Sequence, residues 1–179
     1  KLEFWCEKVG GPFLVQEKLD GISLEIEYVD GEFVDAITRG DGFKGEVVSH
    51  NAVSFKNVQR QLPGAFTGSV RGEVICRTSV FREHFATLDF ANPRNTVSGT
   101  VRKKHGDRSL NRHFEMRYFD VVGPDLEFET ETQKMTFVRD ELKLTLAETY
   151  FDQDLEGILE IFAGYAGDAS EGERGSRSD

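Results

Sequence analysis

A lysine between acids is the feature of this chain with the clearest potential for chemistry. Lys18 lies in the stretch 17–21 (EKLDG), which is separated from the apolar residues 13–15 by Gln16 alone. A desolvated lysine loses its proton more readily, and its neutral amine is then a nucleophile. Gly21 has no side chain and would let a ligand approach the backbone closely. The stretch predicts a nucleophilic lysine beside a ligand, with a surface lysine next to a turn as the alternative.

A glycine-rich segment at residues 38–46 (TRGDGFKGE) is the second candidate element. Gly40, Gly42 and Gly45 favour a loop whose backbone amides could surround an anion. A plain turn explains the same glycines equally well. The segment becomes informative only together with its neighbours.

Two arginines, Arg94 and Arg102, follow in a region that begins with Asn92-Pro93. Proline suits the first turn of a helix, which we predict to run from residue 93 to about 104. Eight positions on a helix separate two side chains by roughly 12 Å. That spacing suits spread phosphates, while structural salt bridges remain an equal alternative.

The elements that must position these residues are strands and short helices. Alternating apolar residues predict strands, and Asp30-Gly31 predicts a hairpin between two of them. Together the elements indicate an α+β fold with mainly antiparallel sheets and flanking helices around a cleft. Strands are predicted at 13–15, 22–28, 33–37, 66–77 and 113–123, and helices from 78, at 93–104, at 130–144 and at 154–165.

The length of 179 residues suits one domain, spanning 1–179, with a flexible Gly/Ser/charge-rich tail at 166–179. Hydrophobic residues make up 38% of the chain, and no apolar run approaches the ~20 residues that a membrane helix requires. The N-terminus lacks the apolar region of a signal peptide. Cys6 and Cys76 have neither metal-ligand nor redox spacing. These features predict a cytoplasmic protein with reduced cysteines and no membrane partner.

The net charge of −10 argues against a generally nucleic-acid-binding surface. The charge is unevenly distributed, however, because basic residues outnumber acids between Arg94 and Arg117. This region is interpreted either as a solvated helix and loop or as a local phosphate-binding patch. Its basic residues are Arg94, Arg102, Lys103, Lys104, Arg108, Arg112 and Arg117.

The order of four motifs is far more specific than any one of them. The motifs are EKLDG at 17–21, TRGDG at 38–42 with Gly45-Glu46, RGEV at 71–74, and FANPRN at 90–95 with Gly99 and Arg102. In this order they closely resemble the adenylation (nucleotidyltransferase) domain of NAD-dependent DNA ligases. The resemblance covers residues 13–123 well and 124–179 loosely. It implies the nucleotidyltransferase fold that ligases share with capping enzymes, built around a nucleotide cleft.

The resemblance also implies a reaction. In this family the motif lysine attacks the α-phosphate of NAD, releases nicotinamide mononucleotide and becomes a lysyl-adenylate. The AMP then passes to a 5′-phosphate at a nick in double-stranded DNA, and a 3′-hydroxyl displaces it to seal the strand. This activity belongs to DNA replication and repair. Mg²⁺ is expected as a cofactor held mainly by the substrate phosphates, without a dedicated protein metal site.

Residue by residue, the resemblance assigns three groups of side chains. Catalytic roles fall to Lys18, Asp20 and Glu73. Nucleotide-binding roles fall to Glu17, Lys18, Gly21, Arg39, Glu73 and Phe119, with Tyr118 as the alternative for the aromatic that stacks on adenine. Phosphate or DNA contacts fall to Arg94, Arg102 and Lys103.

The chain departs from the family pattern at several positions. Gln16 replaces an acid found two residues before the lysine, which concerns adenine contacts, and Val47 replaces an acid after Gly-Glu. The basic stretch 102–105 replaces a less basic one. The stretch 155–159 (LEGIL) superficially resembles a downstream motif, but it lacks the lysine and suits a helix.

The family's nicotinamide-binding segment and two downstream lysine motifs are expected outside residues 13–179. We therefore expect the chain to be part of a larger ligase. Two alternatives stay open. An ATP-dependent ligase or capping-type enzyme shares the lysine and glutamate motifs, and a non-catalytic nucleic-acid-binding module derived from a ligase would agree with the acidic charge.

Overall fold

The computed structural model describes residues 1–40, 42, 44–104 and 106–170, with side chains described through 165. Short helices alternate with strands along the chain. Their bounds are α1 (Leu2–Val9), β1 (Phe13–Gln16), β2 (Ile22–Val29), β3 (Glu32–Thr38), α2 (Ser49–Ala52), β4 (Gly68–Ile75), α3 (Thr78–His84), α4 (Pro93–Val101), α5 (Arg108–Asn111), β5 (Glu115–Val122), α6 (Glu131–Thr136), β6 (Thr149–Gln153) and α7 (Leu155–Ser170).

A four-stranded antiparallel sheet in the order β3-β2-β4-β5 forms the centre of the fold. Alternation along its strands places one set of side chains in the core, because successive residues of a strand face opposite sides. Leu24, Ile26 and Tyr28 of β2 are buried in this way, as are Val70 and Val74 of β4. The opposite face is left for polar side chains, and Arg71 and Glu73 of the β4 motif lie there. This arrangement confirms the α+β prediction.

A two-stranded antiparallel sheet, β1-β6, lies beside the first. It pairs Gln16 with Thr149, residues that are far apart in the sequence. The strand at 149–153 was not among the sequence predictions. Its five residues are mostly half-exposed, so their pattern carries no clear period, and the strand forms because β1 supplies a partner.

The helices follow the predicted starts more closely than the predicted ends. The Asn92 side chain accepts from the Asn95 N–H and caps α4, which ends at Val101 rather than near 104. Thr130 caps α6 in the same way, through the Gln133 N–H. The helix predicted to run to 144 is wrong in its second half, where a π-helical segment covers Phe137–Glu141.

The last helix begins as predicted and continues through Ser170, five residues beyond its predicted end at 165. The stretch 155–159 is helical, as its pattern indicated. The tail residues 171–179 lie outside the described part of the chain. Within the described part, no helix is both long enough and apolar enough to cross a membrane.

Candidate active site

Lys18 lies in the connection between β1 and β2, at the junction that the sequence predicted. It borders a cavity of about 620 Å³, a volume typical of small-molecule sites. Loops and strands that are distant in the sequence contribute to this cavity. Eight of the residues assigned by motif line it: Glu17, Lys18, Gly21, Arg39, Glu73, Arg94, Arg102 and Phe119.

Glu73 projects from the polar face of β4 into this cavity. Its Oε1 accepts a hydrogen bond from the Gly21 N–H at 3.1 Å. Burial raises the pKa of the Glu73 carboxyl, while the Gly21 hydrogen bond and the positive charges of Lys18 and Arg94 oppose the rise. A half-buried carboxylate that is held at one oxygen has its other oxygen available for a polar ligand.

Gly21 has a further reason to be glycine besides the one predicted. A Cβ at this position would lie 2.0 Å from the Val74 carbonyl oxygen of β4. Such a distance is prohibitive, so the absence of a side chain allows the lysine connection to pack against β4. Gly21 still lines the cavity through its backbone, and its N–H fixes Glu73.

The two-stranded sheet β1-β6 fixes the position of the Glu17 backbone. Its backbone N–H donates to the Glu148 carbonyl oxygen at 2.9 Å, next to the start of β6. Burial raises the pKa of the Glu17 carboxyl, the negative charge of Glu148 raises it further, and Arg117 opposes both. The residue before the lysine is therefore an acid in a partly desolvated, negatively charged setting.

Arg39 follows β3 and begins the glycine-rich segment. The two ends of that segment are joined at Thr38, whose N–H donates to the Glu46 carbonyl oxygen at 2.9 Å and whose Oγ1 accepts from the Glu46 N–H at 3.0 Å. Gly45 packs so closely on Thr38 that a Cβ would lie 1.9 Å from the Thr38 carbonyl oxygen. Asp41 and Phe43 of the same motif lie outside the described residues.

The two cleft arginines each pair with an acid. Arg94 Nη1 donates to Asp20 Oδ1 at 2.6 Å, and Arg102 Nε lies 3.3 Å from Glu46 Oε2. All four side chains are substantially exposed, so these ion pairs add little stability. Arg94 lies in the first turn of α4, whereas Arg102 directly follows the helix and is not on it, contrary to the predicted helix through 104.

Asp20 and Lys103 are the assigned residues that do not line the 620 Å³ cavity. Asp20 borders a neighbouring cavity of about 460 Å³, where Lys18 and Arg94 are also found. The Lys103 ammonium lies over the Phe90 ring, 5.9 Å from its centroid. Lys103 therefore contacts an aromatic ring and does not line the cavity that contains both arginines.

Phe119 and Tyr118, the two candidates for the aromatic that stacks on adenine, differ in burial. Tyr118 is fully buried, and its hydroxyl donates to the Asn57 carbonyl oxygen at 3.0 Å. Phe119 lines the cavity. A register shift in the pairing of β4 with β5, between Arg71 and Gly72, places Phe119 at an irregular point of the strand.

Sequence reasoning missed a buried ionic cluster next to the cleft. Glu115, only 5% exposed, accepts from Arg77 through both carboxylate oxygens, at 3.0 and 3.1 Å, and from Arg117 at 3.0 Å. Burial would raise the pKa of the Glu115 carboxyl, but the hydrogen bonds and charges of the two arginines outweigh it and lower the pKa. Arg117 pairs in register with Glu73 across β4 and β5. The cluster therefore supports the polar face that carries Glu73.

Gln16 also lines the cavity. In the sequence it is only a departure from the family pattern. Its Nε2 donates to Thr149 Oγ1 at 3.1 Å. The neutral amide of Gln16 joins β1 to β6 without adding a charge beside Glu17. Among the residues that the structure describes, no group of three or more His, Cys, Asp or Glu side chains is arranged to hold a metal ion.

Comparison with known proteins identifies a family for this chain. Residues 5–171 match the family model of the NAD-dependent DNA ligase adenylation domain. A DNA ligase of Sorangium cellulosum (strain So ce56) is 33% identical over 164 residues, covering 92% of this chain and 23% of that ligase. A DNA ligase of Treponema pallidum (strain Nichols) is 38% identical over 141 residues, covering 70% of this chain and 17% of that ligase.

The chain thus spans less than a quarter of the length of these curated relatives. The match nevertheless includes the lysine connection, the β4 glutamate and both cleft arginines, all within residues 5–171. The predicted family is therefore confirmed. The chain belongs to the family of NAD-dependent DNA ligase adenylation domains.

Proposed function

We propose that this chain carries out the adenylation step of nick sealing, with NAD as the AMP donor and Lys18 as the nucleophile. The observation that carries the proposal is the 620 Å³ cavity, in which Lys18 meets Glu73, Arg39, Arg102 and Phe119. These side chains come from separate strands and connections. A core does not require such a convergence of polar groups, whereas a nucleotide site does.

In the proposed step, the exposed Lys18 ammonium releases a proton to solvent. The neutral Nζ then attacks the α-phosphorus of NAD and loses its second proton to solvent as the bond forms. A nitrogen–phosphorus bond forms, the phosphorus–oxygen bond to nicotinamide mononucleotide breaks, and that group leaves with the electron pair. Phosphoryl transfer depends mainly on positioning and on charge stabilisation. Arg94 and Arg102 supply the positive charge, and Asp20 holds the Arg94 guanidinium beside the lysine.

The nucleotide would be held by the residues that line the same cavity. Glu73 is placed to accept from a ribose hydroxyl, since its Oε1 is already fixed by Gly21. Phe119 offers a ring on which adenine can stack, and Arg39 lies where it would contact the nucleotide. Glu17 positions the lysine through its backbone bond to Glu148.

After adenylation, AMP would pass to the 5′-phosphate of nicked double-stranded DNA, and the 3′-hydroxyl would then displace it. Arg94, Arg102 and Lys103 form the proposed phosphate contacts. Magnesium would arrive with the substrate phosphates and neutralise part of their charge, with Asp20 and Glu73 as the carboxylates beside Lys18. The longer relatives suggest that further ligase segments take part in NAD and DNA binding. The same function, in DNA replication and repair, places the protein in the cytoplasm.

Intact mass after incubation with NAD and magnesium tests the proposal. We expect a gain of one AMP in the wild type and in Lys8→Ala, and no gain in Lys18→Ala. Lys8 lies exposed on α1 and serves as the matched lysine control. A gain with ATP but not with NAD would replace the proposal by an ATP-dependent enzyme. No gain with either, in a form that includes the flanking segments of the relatives, would favour a non-catalytic binding module.

A further inference from the structure

The backbone on both sides of Arg102 is held by a residue outside the cleft. Asn51 of α2 donates through Nδ2 to the Val101 carbonyl oxygen at 2.7 Å and to the Lys103 carbonyl oxygen at 2.9 Å. A ring nitrogen of His50 also lies 2.8 Å from the Lys103 carbonyl oxygen, which requires it to donate. Arg102 is the residue between these two fixed carbonyls.

The orientation of the Asn51 amide is itself determined. Its side chain is in the core, with the residue 1% exposed, and its Oδ1 accepts from Asn111 Nδ2 at 2.9 Å. Turning the amide over would place its oxygen against two carbonyl oxygens and its nitrogen against the Asn111 amide nitrogen. Gly106 closes the remaining side, because a Cβ there would lie 1.8 Å from Asn51 Oδ1. The Asn51 amide therefore has a single orientation, in which its nitrogen donates and its oxygen accepts.

The helix that carries Asn51 is anchored on the central sheet. Ser49 Oγ accepts from the Ala36 N–H at 2.9 Å and donates to Asp35 Oδ1 at 2.7 Å, so α2 is attached to β3. Glu46, a few residues earlier, pairs with the Arg102 guanidinium. The segment from 46 to 51 thus contacts Arg102 at its side chain and at the backbone around it.

We propose that Asn51 is a positioning residue that directs Arg102 into the cleft by fixing the carbonyl groups before and after it. This inference rests on the proposed adenylation function, in which Arg102 stabilises phosphate charge. Asn51 acts only through Arg102 and does not touch the nucleotide. It follows that its loss has no effect on the reaction once Arg102 is absent.

A double-mutant cycle tests whether the effect of Asn51 depends on Arg102. The variants are made in the longest available protein that includes this chain. Asn51→Ala should slow lysyl-AMP formation about 10- to 100-fold, since small displacements of a charge-stabilising group are costly. In an Arg102→Ala background the same substitution should change the rate less than twofold. Independent, multiplying effects in the two backgrounds would overturn the inference.

Two further variants keep the test independent of folding. Leu62→Ala removes a buried side chain that lies beside the β2–β3 turn, where the Leu62 N–H bonds Gly31, and its effect should multiply with that of Arg102→Ala. His50→Ala removes one exposed contact to the Lys103 carbonyl. It should slow the reaction about two- to tenfold with Arg102 present and not in its absence.

Hydrogen exchange separates failure of this inference from failure of the proposed function. Asn51→Ala should speed exchange of the Lys103 N–H, which bonds the Thr100 carbonyl oxygen, while amides of β4 stay protected. An unreactive wild type with this exchange pattern would refute only the adenylation function. Unchanged exchange at Lys103 would refute the positioning role whether or not the wild type reacts.

Discussion

Glu73→Gln should separate the stability of the fold from the function of the site. Glutamine keeps an oxygen that can accept from the Gly21 N–H, so the hydrogen bond at 3.1 Å survives. Glu73→Ala loses that acceptor, at a cost of about 0.5–1.5 kcal/mol. For a chain of this size, that difference corresponds to a melting temperature roughly 1–6 °C lower for the alanine variant than for the glutamine variant.

The pH dependence of stability follows from the raised pKa of Glu73. Because burial raises the pKa, the folded state holds this proton more tightly than the unfolded state, whose pKa is near 4.5. Stability therefore falls as the pH rises from the unfolded pKa through the folded pKa. At pH 7 the glutamine variant should be at least as stable as the wild type, and this advantage should disappear below pH 4.5.

The activity of the Glu73→Gln variant should fall, although its stability at pH 7 should not. A charged acceptor makes hydrogen bonds of about 1.5–3 kcal/mol, against 0.5–1.5 for a neutral one, so glutamine should weaken nucleotide use roughly fivefold or more. Alanine should weaken it about 10- to 150-fold. Thermal unfolding across pH and the rate of lysyl-AMP formation measure both effects. A glutamine variant that is less stable than the wild type at pH 7 yet fully active would refute the reasoning.

Three other substitutions test the support of the cleft. Glu115→Gln should destabilise the fold by about 3 kcal/mol at pH 7, because it leaves two partly buried arginines without their buried carboxylate. Thermal unfolding should show the deficit shrinking as acid protonates the wild-type group, whose pKa is lowered. Gly21→Ala should cost about 3 kcal/mol or more in the free energy of unfolding, since its Cβ would overlap a carbonyl of β4. Arg94→Ala and Arg102→Ala should each lower the slope of log affinity for nicked DNA against log salt by about one unit, as measured by titration.

Each of these predictions has a control in the chain. Gly42→Ala adds a Cβ with no described atom within 4 Å and only the strain of a positive φ, about 1 kcal/mol, so an equal loss at Gly21 would contradict the steric account. For the salt slope, Arg82→Ala on the exposed side of α3 should leave it unchanged. A Glu115→Gln deficit that persists in acid would show that the carboxylate charge is not its cause.

Local pattern was sufficient to predict the elements that carry the lysine and the glutamate. Alternation along β4 places Val70 and Val74 in the core and so directs Glu73 to the other face. Asn92 and Pro93 indicate the start of α4 through capping chemistry alone, which locates Arg94 in its first turn. These predictions depend only on the residues within the element, and they hold.

The features that the sequence did not predict depend on partners far along the chain. β6 exists because β1 pairs with it, and Asn51 gains its role from carbonyls fifty residues away. Phe119 lines the cavity at a register shift between β4 and β5, which no local period records. Glu115 and Arg117 are charged residues on a face of β5 that is otherwise apolar in the sequence pattern. Their charges were the signal in the sequence that could have predicted the buried cluster.

The most direct test of the central claim is to locate the adenylate within the chain. After reaction with NAD and magnesium, proteolysis and tandem mass spectrometry should place one AMP on Lys18 alone, with Lys8, Lys44 and Lys56 unmodified. Glu73→Gln should show the same position at lower occupancy. An adenylate on another lysine, or one that persists in Lys18→Ala, would contradict the account.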